Sequence, residues 1–235
     1  MNKNKKTAIS VGVLFIIASV LGVLGRSFSQ PILDAPDYLI KISANENQVI
    51  IGGLLSLLAA FASAGIAIGL YPVLKKHHEA LALGSVGFRL MEGMLIIIGV
   101  VALLSLLTLS QEYVTAGASN ASLYQVSGTL LQTVKTWAGQ LSVLAFTTGA
   151  MMYYYVFYQS KLVPRWLSGW GFLGAALTLA SALLAIAGLL TPLSTVFILF
   201  NLVILVQEMV LAVWLIIKGF NPSAIASLSA KTATN

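Results

Sequence analysis

The sequence contains no cysteine and very little charge. The absence of cysteine among 235 residues excludes disulfides, thiolate nucleophiles and thiolate metal sites. Only 9% of the residues are charged, whereas soluble domains average about 25%. So few charges cannot cover the surface of a fold against water. We therefore expect lipid to be the solvent for much of the chain.

Signatures of common catalytic chemistry are also missing. The sequence has no G-x-S-x-G motif, no glycine run of the phosphate-binding type and no H-E-x-x-H motif. His77 and His78 are adjacent, so on a helix their side chains would point about 100° apart, and no third metal ligand accompanies them. We expect no cofactor, no metal site and no ordinary hydrolase, nucleotide or metalloprotease chemistry.

Long apolar runs dominate what is present. Six of them reach the length of about 20 residues that a helix needs to cross a hydrocarbon layer. They cover roughly 7–27, 48–74, 82–110, 137–159, 168–190 and 195–218. Because a segment in lipid must satisfy its own backbone hydrogen bonds, each run is predicted to be a helix. The predicted fold is all-α, with one six-helix antiparallel membrane domain over residues 1–235 and a flexible tail at 221–235.

The basic residues indicate the orientation of these runs. The net charge of +6 comes from short clusters at the ends of the runs, so topology explains it better than nucleic-acid binding. One predicted side holds Lys3, Lys5, Lys6, Lys75, Lys76, Lys161, Arg165, Lys218 and Lys231. The other side holds only Arg26, Lys41 and Lys135. The positive-inside rule therefore predicts a multi-pass protein of a bacterial inner membrane, with both termini and the tail in the cytoplasm.

The first run also has features of a signal peptide, since apolar residues follow a basic head. Its apolar stretch from Ala8 to Gly25 is longer than the roughly 7–15 residues of a signal-peptide core. Further apolar runs follow it. A retained first span is the favoured interpretation, and cleavage is the alternative.

Two connections carry helical patterns of their own. PDYLIKIS, at 36–43, predicts a short interfacial helix with Tyr38, Leu39 and Ile42 facing lipid. Apolar positions in 122–139 follow helical spacing. The fourth helix is therefore expected to begin early and to lie along or above the interface.

Small residues mark the expected helix contacts. The second run contains Gly65 and Gly69, and the fifth run contains Gly171 and Gly174. Such residues let helix backbones approach closely, which favours association in lipid.

Three ionisable residues lie inside the predicted spans. Arg89 and Glu92 are three residues apart and share one helical face, while Glu208 lies in the sixth run. At about 1.5 Å per residue, Arg89 is roughly 12 Å and Glu208 roughly 15 Å from the same surface. A charged side chain at the bilayer centre costs at least about 2.5 to 3.5 kcal/mol. We therefore expect the third and sixth helices to touch, with Arg89 bridging Glu92 and Glu208.

Two carboxylates against one arginine leave a surplus negative charge. A shared proton, a bound cation or a basic group from elsewhere would neutralise it. Gln207 neighbours Glu208, and Asn201 lies about two turns before Glu208 on the same face, so both are candidate members of the site. Three interpretations stay open: an ionic clamp between helices, a site for a ligand, ion or proton, and a catalytic carboxylate.

A second candidate group lies near the expected membrane surface. Arg165 is placed to meet lipid phosphate, with Trp166 and Trp170 at head-group level and Lys218 at the end of the sixth run. MMYYYVFY, at 151–158, is typical of an aromatic belt at the same surface.

Three segments carry a family pattern. They are FRLMEGMLIIIGV (88–100), KLVPRWLSGWGFLGAAL (161–177) and QEMVLAVWLIIKGF (207–220). Together they resemble a family of small bacterial membrane proteins, the one catalogued as domain of unknown function 4386. The positions that match its pattern are Arg89, Glu92, Pro164, Trp166, Gly171, Glu208, Trp214, Lys218, Gly219 and Phe220. The resemblance implies a six-helix integral membrane protein and supplies no activity, because the family has none assigned.

The sequence thus predicts a membrane protein that binds or moves a small ligand, ion or proton at the arginine–glutamate cluster. The alternative is a structural or assembly protein in which the cluster only clamps the third and sixth helices. An intramembrane lipid-modifying enzyme is a third interpretation, which lacks a nucleophile or metal set. The expected partners are the lipid bilayer and a small-molecule, lipid or ion ligand, not nucleic acid, and no oligomeric state is predicted.

Overall fold

The computed structural model confirms the predicted all-α class. It describes residues 3–117, 120–191 and 194–226, and within these ranges it contains helices and no strand. The helices are α1 (Lys3–Leu33), α2 (Tyr38–Ala44), α3 (Glu46–Leu74), α4 (Glu79–Ala116), α5 (Ala121–Ser160), α6 (Arg165–Ile186) and α7 (Thr195–Ile217).

Five of the described helices are long and apolar enough to cross a membrane, judged by length and composition. These are α1, α3, α4, α6 and α7. The helix predicted as the fourth span is present as α5, but threonines and tyrosines interrupt its apolar stretch, and it is not among the five. Its start at Ala121 confirms that this helix begins well before residue 137.

Three helices end at positions that differ from the predicted ones. α1 continues past residue 27 to Leu33, and α4 continues past residue 110 to Ala116. α6 ends at Ile186 rather than at 190. Gly188 has a φ of 73° there, and a left-handed glycine just after a helix is a common helix stop.

The chain divides into two compact units, each of which gathers segments of several helices. The first unit comprises Met1–Ile17, Ala62–Glu92 and Val143–Asn235, and the second comprises Ala18–Phe61 and Gly93–Ser142. A single membrane domain over residues 1–235 stays a prediction.

In the second unit, α2 is part of the protein interior. Its existence confirms the predicted short helix, but the prediction that Leu39 and Ile42 face lipid is wrong, because both are fully buried. They pack in an apolar cluster with Ile32, Leu33, Val49, Leu103, Leu106 and Leu107. Ser110 of α4 donates to the carbonyl of Leu39, which holds α2 against the unit.

In the first unit, small residues lie where helices approach most closely. A methyl group added to Gly69 would lie 2.9 Å from Val11 of α1, and one added to Gly174 would lie 3.1 Å from the backbone of Ile204 of α7. These distances are shorter than an ordinary van der Waals contact. The expectation that glycines mark helix contacts is confirmed at both positions.

The end of α7 is capped from α1. Lys5 Nζ donates to the carbonyls of Ile216 and Ile217 at 3.1 and 2.6 Å. The cation therefore satisfies carbonyl groups that the helix end leaves open. Beyond α7, residues 222–226 are helical. The rest of the predicted tail, 227–235, lies outside the described residues.

Candidate functional site

Arg89 and Glu92 form a buried ion pair on α4. Arg89 Nη1 lies 3.1 Å from Glu92 Oε2, and the two side chains are only 3% and 11% exposed. The three-residue spacing places both groups on one face of the helix. The structure confirms this half of the predicted cluster.

Side chains of two neighbouring helices complete the surroundings of the pair. From α3, Ser63 Oγ donates a hydrogen bond of 2.8 Å to Glu92 Oε2. From α5, the ring of Phe146 lies 4.8 Å from the Arg89 guanidinium carbon, and Gly149 leaves room for the arginine stem. The pair thus connects α3, α4 and α5 within the first unit.

Glu208 of α7 belongs to the same polar interior. It is buried and accepts a hydrogen bond of 3.5 Å from the hydroxyl of Tyr153. It also lies within electrostatic range of Arg89. The structure therefore brings all three predicted ionisable residues into one region, while a direct Arg89–Glu208 bridge stays a prediction.

Gln207 holds three helices together. Its Oε1 accepts a hydrogen bond of 2.5 Å from the hydroxyl of Tyr154 on α5, and its Nε2 donates to the carbonyl of Leu167 on α6 at 3.0 Å. The side chain is fully buried. Both ends of the amide are engaged by the protein, so the contacts of Gln207 are those of a structural tie.

Asn201 lies on the contact between α6 and α7. Its Nδ2 donates to Ser181 Oγ at 3.1 Å and to the carbonyl of Phe197 at 2.8 Å. The structure therefore gives Asn201 partners of its own. A ligand role for either amide stays a prediction.

Tyr153 and Tyr154 are site residues that sequence reasoning missed. The prediction of an aromatic belt is wrong for both, because they are fully buried and bond to Glu208 and Gln207. Tyr155 and Tyr158, at 45% and 44% exposure, have the exposure expected of a belt. Gly171 makes the arrangement possible, since a methyl group there would overlap the Tyr154 ring.

The sequence of α5 contains a pattern that could have predicted the burial of these tyrosines, namely a stripe of residues at helical spacing. The buried positions include Thr147, Ala150, Tyr153, Tyr154 and Phe157. Their three- and four-residue spacing is that of one helix face. The stripe places both hydroxyl groups on the side that meets other helices.

Two nitrogen atoms of Arg89 make no hydrogen bond. Nε and Nη1 are both buried without a hydrogen-bond partner in the part of the chain that the structure describes, although Nη1 lies at ion-pair distance from Glu92. Buried polar atoms nearly always have a partner, so an exception calls for an explanation. No group of three or more potential metal ligands occurs among the described residues.

The predicted head-group residues come together at another place in the first unit. Arg165 Nε donates to the carbonyl of Tyr158 at 3.4 Å, and its guanidinium carbon lies 5.2 Å from the Tyr158 ring. Trp166 stacks on Trp170 with ring centroids 6.5 Å apart. Lys218 lies with Arg165 along one cavity. Contact of these residues with lipid stays a prediction.

Comparison with known proteins identifies the family of this chain. The family model described as Domain of unknown function (DUF4386) matches residues 10–219. The chain therefore belongs to this family, which confirms the resemblance carried by the arginine–glutamate pair and the segments around Pro164 and Glu208. No curated protein and no solved structure matches the chain.

Proposed function

We propose that this chain is a multi-pass protein of a bacterial cytoplasmic membrane in which the Arg89–Glu92–Glu208 cluster clamps the helices. The observation that supports a clamp is the hydrogen bond from Ser63 of α3 to Glu92 Oε2, which joins α3 to the Arg89–Glu92 pair of α4. A carboxylate held by protein donors in a buried site has exchanged water for fixed partners. Such a site stabilises one arrangement of its helices.

A double-mutant cycle tests the clamp. In Arg89→Ala and Glu208→Ala, each single variant is expected to lose stability, and the double variant is expected to lose no more than the worse single one. The coupling energy expected for groups in one network is about 0.5 to 3 kcal/mol. Glu79→Ala combined with Arg89→Ala is the matched control, because Glu79 is an exposed carboxylate on the same helix. Additive losses in the first cycle would contradict the clamp.

The proposal includes α5 as a sixth span, with both termini in the cytoplasm. Support comes from the cations, which gather in alternate connections of a six-span arrangement. The chain has no cysteine, so single cysteines can be placed at Lys6, Lys76, Glu112 and Ser223. Reaction of each cysteine with a membrane-impermeant maleimide shows on which side of the membrane that position lies. If the chain has six spans, only Glu112→Cys is expected to react in intact cells in which the reagent can reach the outer face of the inner membrane. Labelling of Ser223→Cys from outside would instead indicate five spans.

A second candidate function is proton binding at the same cluster. The excess of two buried carboxyl groups over one buried arginine favours it. Infrared spectroscopy of the protein in vesicles is expected to show a protonated carboxyl band at neutral pH that disappears in Glu208→Gln or in Glu92→Gln. A spectrum unchanged in both variants would contradict proton binding and leave the clamp unaffected.

A further inference from the structure

A cavity of about 530 Å³ lies where the connection between α5 and α6 meets the end of α7. Its apolar walls are Leu162, Val163, Pro164, Trp214 and Phe220. Its charged groups are Lys161, Arg165 and Lys218. The volume lies in the range of about 300 to 1,000 Å³ that is usual for small-molecule pockets. We call it the cationic cavity.

Backbone contacts fix the shape of the cationic cavity. Lys161 and Gly219 have φ angles of 58° and 77°, so the chain turns sharply on both sides. The N–H of Asn221 donates to the carbonyl of Leu162 at 2.9 Å and joins the two segments. The cations are therefore attached to a defined framework.

The charge of the cationic cavity is not balanced by the described residues. No carboxylate is among those that line it. Within the described residues, Lys161 and Lys218 take part in no ion pair and their side chains donate no hydrogen bond, and the ion pairs are Lys41–Asp37 and Arg89–Glu92. Like charges around one cavity repel each other. A bound anion would relieve this repulsion.

The start of α6 adds to the preference for an anion. Arg165 is the first residue of this 22-residue helix. The first N–H groups of a helix lack intrahelical partners, and the helix dipole favours negative charge at this end. Arg165 lines the cavity, and its Nε donates to the Tyr158 carbonyl at 3.4 Å.

We propose that the cationic cavity binds the phosphate of an amphiphilic phosphate ester. Lys161, Arg165 and Lys218 contact the phosphate, and the wall that contains Trp214 and Phe220 contacts the carbon part of the ligand. Two sources supply this chemistry: the head group of an anionic phospholipid and a soluble phosphate ester. The proposal does not depend on any role for the Arg89–Glu92 pair.

Ligand binding to the full-length protein in detergent tests this assignment. The probes are phosphatidylglycerol, phosphatidylcholine as the zwitterionic reference, and glycerol 3-phosphate, with bound ligand counted by native mass spectrometry. The wild type is expected to bind one phosphatidylglycerol saturably and in preference to phosphatidylcholine. Saturable binding of glycerol 3-phosphate that competes with the lipid would identify a soluble ester as a further source.

Two charge-matched triple variants separate the cavity from the general surface charge. The first variant combines Lys161→Gln, Arg165→Gln and Lys218→Gln. It is expected to weaken phosphatidylglycerol binding about 100-fold, because the loss of each cation weakens binding roughly 5-fold. Lys6→Gln, Lys75→Gln and Lys76→Gln remove the same charge from exposed positions outside the cavity. This control is expected to change affinity by less than about 2-fold. If the cavity variant does not fold, Lys218→Gln alone is expected to weaken binding about 5-fold.

Three outcomes would overturn the proposal. One is an equal loss in both triple variants, which would show that binding follows the net charge of the surface. Another is binding of phosphatidylcholine as tightly as phosphatidylglycerol. The third is the absence of saturable binding by phosphatidylglycerol and by glycerol 3-phosphate.

Discussion

The interiors of the first and second units are built from different kinds of contact. The first unit buries Arg89, Glu92 and Glu208 among serine, tyrosine and glutamine side chains that bond to them or to one another. The second unit buries a cluster of eight apolar side chains around α2. Polar contacts depend on particular donor and acceptor atoms, whereas apolar contacts depend on volume. The two units should therefore respond differently to single substitutions.

The lipid environment makes this difference sharper. Between helices surrounded by lipid, the hydrophobic effect supplies no driving force, because lipid tails are as apolar as leucine. Packing and hydrogen bonds must then select the neighbours of a helix. A buried polar network can specify one arrangement of its helices through its paired members. In the first unit these include Glu92 with Ser63 and Gln207 with Tyr154.

Removing the carboxylate of the buried ion pair should have the largest effect. In Glu92→Ala, Arg89 is left as a buried charge without its ion-pair partner, and the Ser63 hydroxyl loses its acceptor. Breaking such a pair from one side costs about 3 to 5 kcal/mol. We expect a loss of this size in the free energy of unfolding, measured by denaturant titration of the protein in detergent.

Glu92→Gln is the control for this prediction. The amide keeps an acceptor for Ser63 but removes the charge that faces Arg89. It should therefore retain part of the stability that Glu92→Ala loses. Equal stability of wild type and Glu92→Ala would show that the buried pair contributes nothing to the fold.

A substitution that creates a cavity in the apolar cluster of the second unit should have the next largest effect on the free energy of unfolding. Ile42 of α2 is fully buried in the apolar cluster. Ile42→Ala is expected to cost about 2 to 4 kcal/mol, because it removes buried methyl groups and leaves a cavity. Ile40 on the same helix is 52% exposed, so Ile40→Ala should cost much less. Similar losses for the two variants would argue that α2 does not pack as the structure has it.

The sequence made part of this contrast predictable. The spacing of Arg89 and Glu92 placed both on one face, and the cost of burying a lone charge implied that they were paired. Composition likewise indicated spanning helices, and depth counting placed Glu208 near Arg89. The prediction of the buried Arg89–Glu92 pair is confirmed, because it follows from helix geometry and from the cost of charge in lipid.

The rest depended on tertiary contacts that local sequence does not contain. Four tyrosines and a phenylalanine close together suit a membrane surface as well as an interior, and only the neighbouring Gly171 and Gln207 select the interior for Tyr154. The burial of Leu39 likewise depends on residues that are distant in the sequence, such as Leu103 and Leu106 of α4. Hydrophobic residues at an expected interface have two apolar partners, lipid and protein, and the sequence does not distinguish them.

A smaller effect is expected from the tyrosine hydroxyl that faces Glu208. Tyr153→Phe keeps the buried ring, which packs against Phe15 and Phe157, and removes the 3.5 Å hydrogen bond to Glu208 Oε1. A hydrogen bond to a charged group contributes about 1.5 to 3 kcal/mol when well formed. Because this one is long, we expect a loss of about 1 kcal/mol in the free energy of unfolding.

Tyr155→Phe is the matched control, since its side chain is 45% exposed on the same helix. It should change stability by less than about 0.5 kcal/mol, as surface substitutions usually do. Equal effects of Tyr153→Phe and Tyr155→Phe on stability would show that the Tyr153 hydroxyl does not contribute to the polar network of the first unit.

The smallest effect should come from the second unit's exposed ion pair. Lys41 Nζ lies 3.8 Å from Asp37 Oδ1, with the side chains 52% and 50% exposed. Lys41→Ala should cost less than about 1 kcal/mol in the free energy of unfolding, because water solvates both charges when the pair is broken. Screening at about 1 M salt, where the Debye length is roughly 3 Å, should remove most of that difference. The loss in Glu92→Ala should persist at the same salt concentration, since ions do not reach a buried pair. An equal salt dependence of the two variants would mean that Arg89 and Glu92 are solvated, and that burial does not distinguish the ion pairs of the two units.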